Sequence, residues 1–468
     1  MSERCPRVDL YPKTVPVLFK SDRNLRYFIL NRPDKLNSLN DEVLDLLRGQ
    51  LEEWIQADTQ SILVGTGVGR AFCSGGDVES VRAYAYRRET LPMAINFFRK
   101  QFEIDYILAT IPMAYIAVMD GITMGGGAGL SASAPFRIAT ENTVFATPET
   151  RIGYCTDAGM NFFLSRIDGE LGTYLALTSQ SLQGRAVFEH GFATHFVPSH
   201  DLPALLERLA ALERPSHAQI NALIEAYHPA SGATPGSPLA GAVRVALDAA
   251  FRHDTVEAIV AELDALATGG VDGAVRKWAA RTRDTLMVRS PTGLKVTLAA
   301  LRRARALSFA DALQTDLNLA TAFSLGASPD FTTGVDTIIV RKEKATPAWS
   351  PRTLGDVSDA WVARTFFAEY APERGTVPRL AVPPYARRML DPMTHTLPAE
   401  SEIRAVVEGR HEHSVRRTVG LEELVELCAE MKGGKMGVRE KVVEVVQRKC
   451  EVRKDAGSGR EWLVWKGE

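Results

Sequence analysis

Two acidic residues, Glu149 and Asp157, lie eight positions apart and follow a run of three glycines, Gly125 to Gly127. Glu149 sits in Phe145-Ala146-Thr147-Pro148-Glu149, and Asp157 closes Gly153-Tyr154-Cys155-Thr156-Asp157. Two carboxyl groups converging on a water-poor site can divide acid–base work. An ionised one attacks a carbonyl or activates water, while its partner orients the substrate or assists a leaving group. The ordinary alternatives are an exposed turn for Glu149 and a helix N-cap, before Ala158 to Asn161, for Asp157.

The glycines admit two readings as well. Cys73-Ser74-Gly75-Gly76-Asp77 and Gly121-Ile122-Thr123-Met124-Gly125-Gly126-Gly127 each follow a strand-like apolar run. Glycine lets a helix start press against a strand, which is plain packing. It also lets backbone approach a ligand, and a helix start offers unpaired N–H groups to a negative oxygen. Turns at Gly75-Gly76 and Gly125-Gly126 could thus converge on one carbonyl oxygen. Gly65-Thr66-Gly67-Val68-Gly69-Arg70 lacks the spacing of a dinucleotide loop, and no Gly-Lys-Ser/Thr phosphate loop occurs.

The elements that must position these groups read as α/β. Residues 16–30 form two strands about a turn at Ser21 to Asn24. Asn40 is placed to cap a helix with Val43, Leu44, Leu46, Leu47, Leu51 and Trp54 at helical spacing. Ser61 to Val64 and Met113 to Met119 are short buried strands, residues 77–110 are helical, and residues 201–325 are largely helical with a Gly/Pro/Ser-rich linker at Ser231 to Pro238. Asp330 to Gly334 reads as a turn. The prolines between 372 and 398 suggest a linker, and a charged, helical stretch follows Glu400.

Composition sets bounds. The 468-residue chain has a formal net charge of -2, which does not point to nucleic acid or an anionic membrane as partners of the whole. No apolar run has the length of a membrane span. The five cysteines are scattered with no CxxC pair, so neither a zinc site nor a disulfide framework is expected and a reducing compartment fits. His411-Glu412-His413 lacks further ligands, and no metal is expected. Neither a secretory signal nor a mitochondrial presequence is visible in the first residues.

These runs resemble the crotonase (enoyl-CoA hydratase/isomerase) superfamily. The marks are Asn31-Arg32-Pro33 with Leu36-Asn37-Ser38-Leu39, Ala71-Phe72-Cys73-Ser74-Gly75-Gly76-Asp77, the glycine run to Leu130, and Phe145 to Gly153. Within it the chain is most similar to the 3-hydroxyisobutyryl-CoA hydrolases. That match rests on Phe97-Phe98-Arg99, Asp157, Gly184-Arg185, Ala193 to Val197, Ser290 to Lys295, and the tail from Asp330 with its Pro-x-Trp-x-Pro ending. It covers about residues 16–366.

The resemblance implies a crotonase (ClpP/crotonase-like) spiral core over 16–200 and a helical region over 201–368 that completes a coenzyme A site. A Pro-rich linker over 369–399 and an extra extension over 400–468 follow. The amides of Gly76 and Gly126 would form an oxyanion hole, and Lys35, Asn37 and Ser38 would line the coenzyme A path. Glu149 would be nucleophile or base, with Asp157 binding the substrate's 3-hydroxyl and taking part in proton transfer. Hydratases of the superfamily carry a second glutamate where this chain has Gly129, which disfavours hydration. Coenzyme A is part of the substrate, so no separate cofactor is implied, and valine breakdown in the mitochondrial matrix is the expected setting.

Two departures stand out. Gln101 replaces a glutamate, keeping hydrogen bonding without charge. Met160 replaces a glycine beside the acyl pocket, where it is expected to narrow it. The basic stretch Lys432 to Lys454 reads as a solvated face or a docking surface. A hydrolase-like protein is a component of the mitochondrial small ribosomal subunit in some fungi, which makes that subunit a candidate partner.

Overall fold

The computed structural model describes residues 15–57, 60–229, 237–412, 418–454 and 459–466. The first fourteen residues, Cys5 among them, and most of the Ser231 to Pro238 linker therefore lie outside the described residues. β1 (Val17–Asp22) and β2 (Leu25–Leu30) form the antiparallel hairpin that the sequence suggests.

Three times in succession the chain then adds a strand to the sheet that this hairpin begins, turns, and lays a short strand in a second sheet. β3 (Ile62–Gly67) leads to β4 (Ala71–Cys73), β5 (Ala114–Met119) to β6 (Ile122–Met124), and β7 (Phe136–Ala139) to β8 (Val144–Ala146). β9 (Ser181–Gln183) and β10 (His195–Phe196) complete the sheets, whose orders are β1-β2-β3-β5-β7-β10 and β4-β6-β8-β9. From β2 onward the first sheet is parallel, and β4, β6 and β8 are mutually parallel. Parallel strands covered on both faces need unbroken apolar sequence, and all six residues of β5 are buried.

Helices cover the sheets. In α1 (Asp41–Ala57), Asn40 Oδ1 accepts from Val43 N–H at 3.0 Å, the cap that its side chain predicts. The expected helix over 77–110 is two, α2 (Val78–Ala85) and α3 (Leu91–Thr110), because Pro92 opens a new first turn. α4 (Gly126–Ala132) and α5 (Met160–Leu164) are short. Asp330 to Gly334 is helical rather than a turn and runs on into a π-helix, Val335–Val340. The Asp330 carboxylate accepts from Ser290 Oγ at 2.6 Å and Ser350 N–H at 2.8 Å, which pins the tail containing buried Trp349.

Residues 369–399 lie along the core. Leu380 N–H donates to Gln314 Oε1 at 2.9 Å, Ala381 N–H to Glu103 Oε1 at 3.2 Å, and Arg387 N–H to Thr110 O at 3.1 Å, so this strap braces α3. The fully buried Arg137 guanidinium reaches the same segment, donating to Pro392 O at 2.9 Å.

The extension comprises the helices Glu400–Val407, Leu421–Met431 and Val438–Lys449 and an antiparallel hairpin of β11 (Cys450–Lys454) and β12 (Glu461–Trp465). It shares one apolar cluster with the core: Ile403, Leu424, Val442 and Leu463 belong with Phe188, Phe192 and Leu247. Its basic stretch is less solvated than its composition suggests. Lys441 pairs with Asp168 at 2.7 Å, Arg448 with Glu444 at 2.6 Å and Glu400 at 2.5 Å, and Lys435 with Glu225. Lys441 and Lys435 thereby neutralise half-buried carboxylates of the core, while Arg448 ties two helices of the extension together.

Candidate active site

The ends of β4, β6 and β8 stand side by side, and each runs into one piece of the site. β4 leads to Gly75-Gly76, β6 to Gly125-Gly126 and β8 to Glu149. Adjacency of the strands thus converts three segments far apart in sequence into one constellation.

The first glycine turn is held against residues 36–39. Leu39 N–H donates to Gly75 O at 2.8 Å and Asp77 N–H to Leu39 O at 2.7 Å. This parallel pairing uses the groups flanking Gly76 and turns the Gly76 N–H to the other side. Gly126 is the first residue of α4, so its N–H has no partner within the helix. The two turns touch: a Cβ on Gly75 would lie 3.2 Å from Gly126 N. Gly75 (φ +106°) and Gly125 (φ +52°) hold conformations that a side chain would strain.

Gln101 and Glu149 stand over these turns. A Cβ on Gly126 would lie 2.3 Å from Gln101 Nε2, and one on Gly125 would lie 3.3 Å from Glu149 Oε1. Both oxygens of Glu149 are buried without a hydrogen-bond partner. At Gly129 a Cβ would meet Ala158 Cβ and Ala158 O, each at 2.7 Å, so no side chain fits there.

Asp157 is not a helix cap: α5 begins at Met160 and Gly159 precedes it. Its Oδ2 accepts from Tyr154 Oη at 3.0 Å. The helical region fixes this loop. Thr297 Oγ1 accepts from Thr156 N–H at 3.3 Å, and Asp316 accepts from Gly159 N–H at 2.8 Å and Asn161 Nδ2 at 2.9 Å. Met160 does not narrow an acyl pocket as expected. It is fully buried and joins the apolar cluster of Met119, Ala128 and Phe163, where its length fills core volume.

Of the three residues assigned to a coenzyme A path, Asn37 is occupied elsewhere. Its Oδ1 accepts from Arg32 N–H at 2.8 Å, and its Nδ2 donates to Val68 O at 3.0 Å and Ala71 O at 2.7 Å. A buried carboxamide with those partners folds the loop rather than presenting itself to a ligand. Ser38 is held by Arg32, which also pairs with Asp77 at 3.1 Å. Lys35 is exposed, 3.5 Å from Glu79.

Sequence reasoning missed three participants. Asp105 lies one helical turn beyond Gln101 on α3 and is fully buried with both oxygens unpartnered; the i, i+4 spacing was its signal. Asp316 and Tyr154 gave no signal, since only the tertiary fold brings them to Asp157. Burial drives the electrostatics. It pushes the Glu149 carboxyl up to about 8, with the Asp316 charge adding to it. Burial and the charges of Glu149 and Asp316 hold Asp157 well above the ordinary range, opposed by the Tyr154 hydrogen bond. Asp105 is raised by burial, then by Asp157 and Asp316, and Asp316 itself is pushed up to about 7 by burial. Four acids in one low-dielectric site cannot all ionise together. Among the described residues no group of side chains fits a metal ion, and no helix is long and apolar enough to cross a membrane.

The chain's similarities to known proteins agree with this layout. It is 36% identical over 464 residues to the small ribosomal subunit protein mS47 of Neurospora crassa, covering 97% of this chain and 88% of that protein. It is 36% identical over 339 residues to the mitochondrial 3-hydroxyisobutyryl-CoA hydrolase of Xenopus tropicalis, covering 72% and 85% respectively. A crystal structure of a carnitinyl-CoA dehydratase from Mycobacterium thermoresistibile superposes with a TM-score of 0.65 at 30% identity, over 75% of this chain and 96% of that one. The expected mixed α/β crotonase fold with its helical C-terminal region is therefore present. Residues 25–366 match the model of the enoyl-CoA hydratase/isomerase family, and the chain belongs to that family.

Proposed function

We propose that the chain hydrolyses the thioester of a short 3-hydroxyacyl-CoA, with 3-hydroxyisobutyryl-CoA of valine breakdown as the leading substrate and the mitochondrial matrix as the setting. The observation that carries this reading is the meeting of the Gly75-Gly76 and Gly125-Gly126 turns with buried Glu149 at the ends of adjacent strands, and with buried Asp157 from the loop that follows. The Gly76 and Gly126 amides receive the thioester oxygen as it becomes negative; one such donor is typically worth about 100- to 1000-fold in rate. Ionised Glu149 takes a proton from water as the water oxygen joins the thioester carbon. Collapse then breaks the carbon–sulfur bond, and the proton passes from Glu149 to the departing thiolate. Asp157 accepts the substrate's 3-hydroxyl, and neutral Gln101 hydrogen-bonds beside the glycine turns. The filled space at Gly129 supports hydrolysis over hydration by a pair of glutamates. The test is release of free coenzyme A by purified wild type and Glu149→Gln. Wild-type release that the variant lacks is expected, and equal rates would refute the assignment.

The second reading is a component of the mitochondrial small ribosomal subunit. It is favoured by the alignment to the Neurospora crassa protein, which at 97% of this chain runs through the C-terminal extension as well as the core. Native protein should then sediment with the small subunit and lose that position when residues after Glu400 are removed. Consistent absence from that fraction would end the reading.

A further inference from the structure

Asp157 has one side-chain donor among the described residues, the Tyr154 hydroxyl at 3.0 Å from Oδ2. The bond fixes which oxygen is engaged and leaves Oδ1 for another group. Tyr154 itself has little freedom. Its N–H donates to Glu149 O at 3.1 Å, so the segment that carries one acid also anchors the residue that orients the other. Its ring lies among Phe98, Phe323 and Phe331, with centroids 5.8, 5.1 and 5.0 Å away. Phenylalanine would fill that aromatic cage equally well. A hydroxyl placed there loses its water and must find an acceptor inside the protein, and the acceptor it finds is Asp157.

The ionisable groups that face Asp157 all disfavour its charge. Glu149 comes from the turn after β8, Asp316 from the helix Phe309–Ser324, Asp105 from α3, and the Cys155 thiol from the same loop. Tyr154 is the side chain that favours the charged form. Burial holds the Tyr154 phenol well above its ordinary range, so it remains a donor.

We propose that Tyr154 is the positioning residue that engages Oδ2 of Asp157 and so turns its other oxygen to accept the 3-hydroxyl, which makes the site selective for hydroxylated over plain acyl chains. The proposal rests on the hydrolase reading above and names the residue behind its substrate choice.

The test compares wild type with Tyr154→Phe on 3-hydroxyisobutyryl-CoA and isobutyryl-CoA. It also measures binding of both compounds with the thioester sulfur replaced by methylene, which cannot be hydrolysed. For the hydroxylated substrate, kcat/KM should fall by about 10- to 100-fold, the range for one hydrogen bond to a charged group. Its pH–rate profile should move to higher pH, and hydrolysis of isobutyryl-CoA should change by less than about threefold. Asp157→Asn added to Tyr154→Phe should cost little more, because the two act as one unit. Equal loss on both substrates, or no loss on either, would overturn the proposal. The binding arm separates the two readings. Wild type that prefers the hydroxylated analogue yet releases no coenzyme A, with the preference lost in Tyr154→Phe, upholds Tyr154 and refutes hydrolysis. Wild type that binds both analogues alike refutes the role of Tyr154.

Discussion

Replacing Glu149 by glutamine should stabilise the protein, and only where the pH is high enough. The unfolded carboxyl titrates near 4.5, while burial holds the folded one protonated up to about 8. Between those values the folded chain binds a proton that the unfolded chain has released. Stability therefore falls as pH rises through this window and levels off above it. The gap between 4.5 and about 8, at 1.36 kcal/mol per pH unit, sets an upper limit of roughly 5 kcal/mol. Water drawn into the site would reduce it to about 2–5 kcal/mol. Glutamine has nearly the same shape and no such dependence. The Glu149 charge also raises Asp157, so its removal acts in the same direction. Denaturant unfolding of both proteins at pH 5, 6.5 and 8.5 measures the effect. Near-equality at pH 5 and a growing advantage for Glu149→Gln toward pH 8.5 are expected. A difference that does not change with pH, or a wild type that becomes the more stable protein at pH 8.5, would refute the claim that burial sets this carboxyl.

Three more outcomes follow from the same structure. Because Glu149 must be ionised to act as base, kcat/KM for thioester hydrolysis should rise with pH toward about 8; a profile already flat at pH 6 would contradict this. Gly153→Ala should destabilise by roughly 2–4 kcal/mol: its φ is +74° and a Cβ would lie 2.2 Å from the Asp330 carbonyl oxygen. A thermal midpoint equal to wild type would show that the tail can move aside. Ending the chain at residue 368 should lower solubility and thermal stability by exposing the apolar face that Leu424, Val442 and Leu463 cover, and an unchanged midpoint would show that the extension is a separable unit.

The alternation of buried strands and glycine turns was legible in the chain, because parallel strands demand apolar runs and the turns demand glycine. The family followed from those runs. What the sequence concealed were contacts made by side chains of ordinary type. Asn37 looked like a ligand group and proved to be saturated by backbone partners. Met160 looked like a pocket residue and proved to be core. Lys435, Lys441 and Arg448 looked like a solvated basic face, yet their partners lie more than two hundred residues upstream for the first two. Tyr154 and Asp316 reach Asp157 only through tertiary folding, which local spacing does not encode.

The strap across α3 also has a consequence in time. Ala381, which hydrogen-bonds Glu103, is made 278 residues after it. At about 5–20 residues per second, the helix that carries Gln101 and Asp105 waits roughly 15–55 s on the ribosome before its brace exists. The strands that assemble the glycine turns are complete well before then. The chain therefore sets its glycine turns and Glu149 early, gains the Thr297 and Asp316 contacts that fix the Asp157 loop much later, and braces α3 only after that.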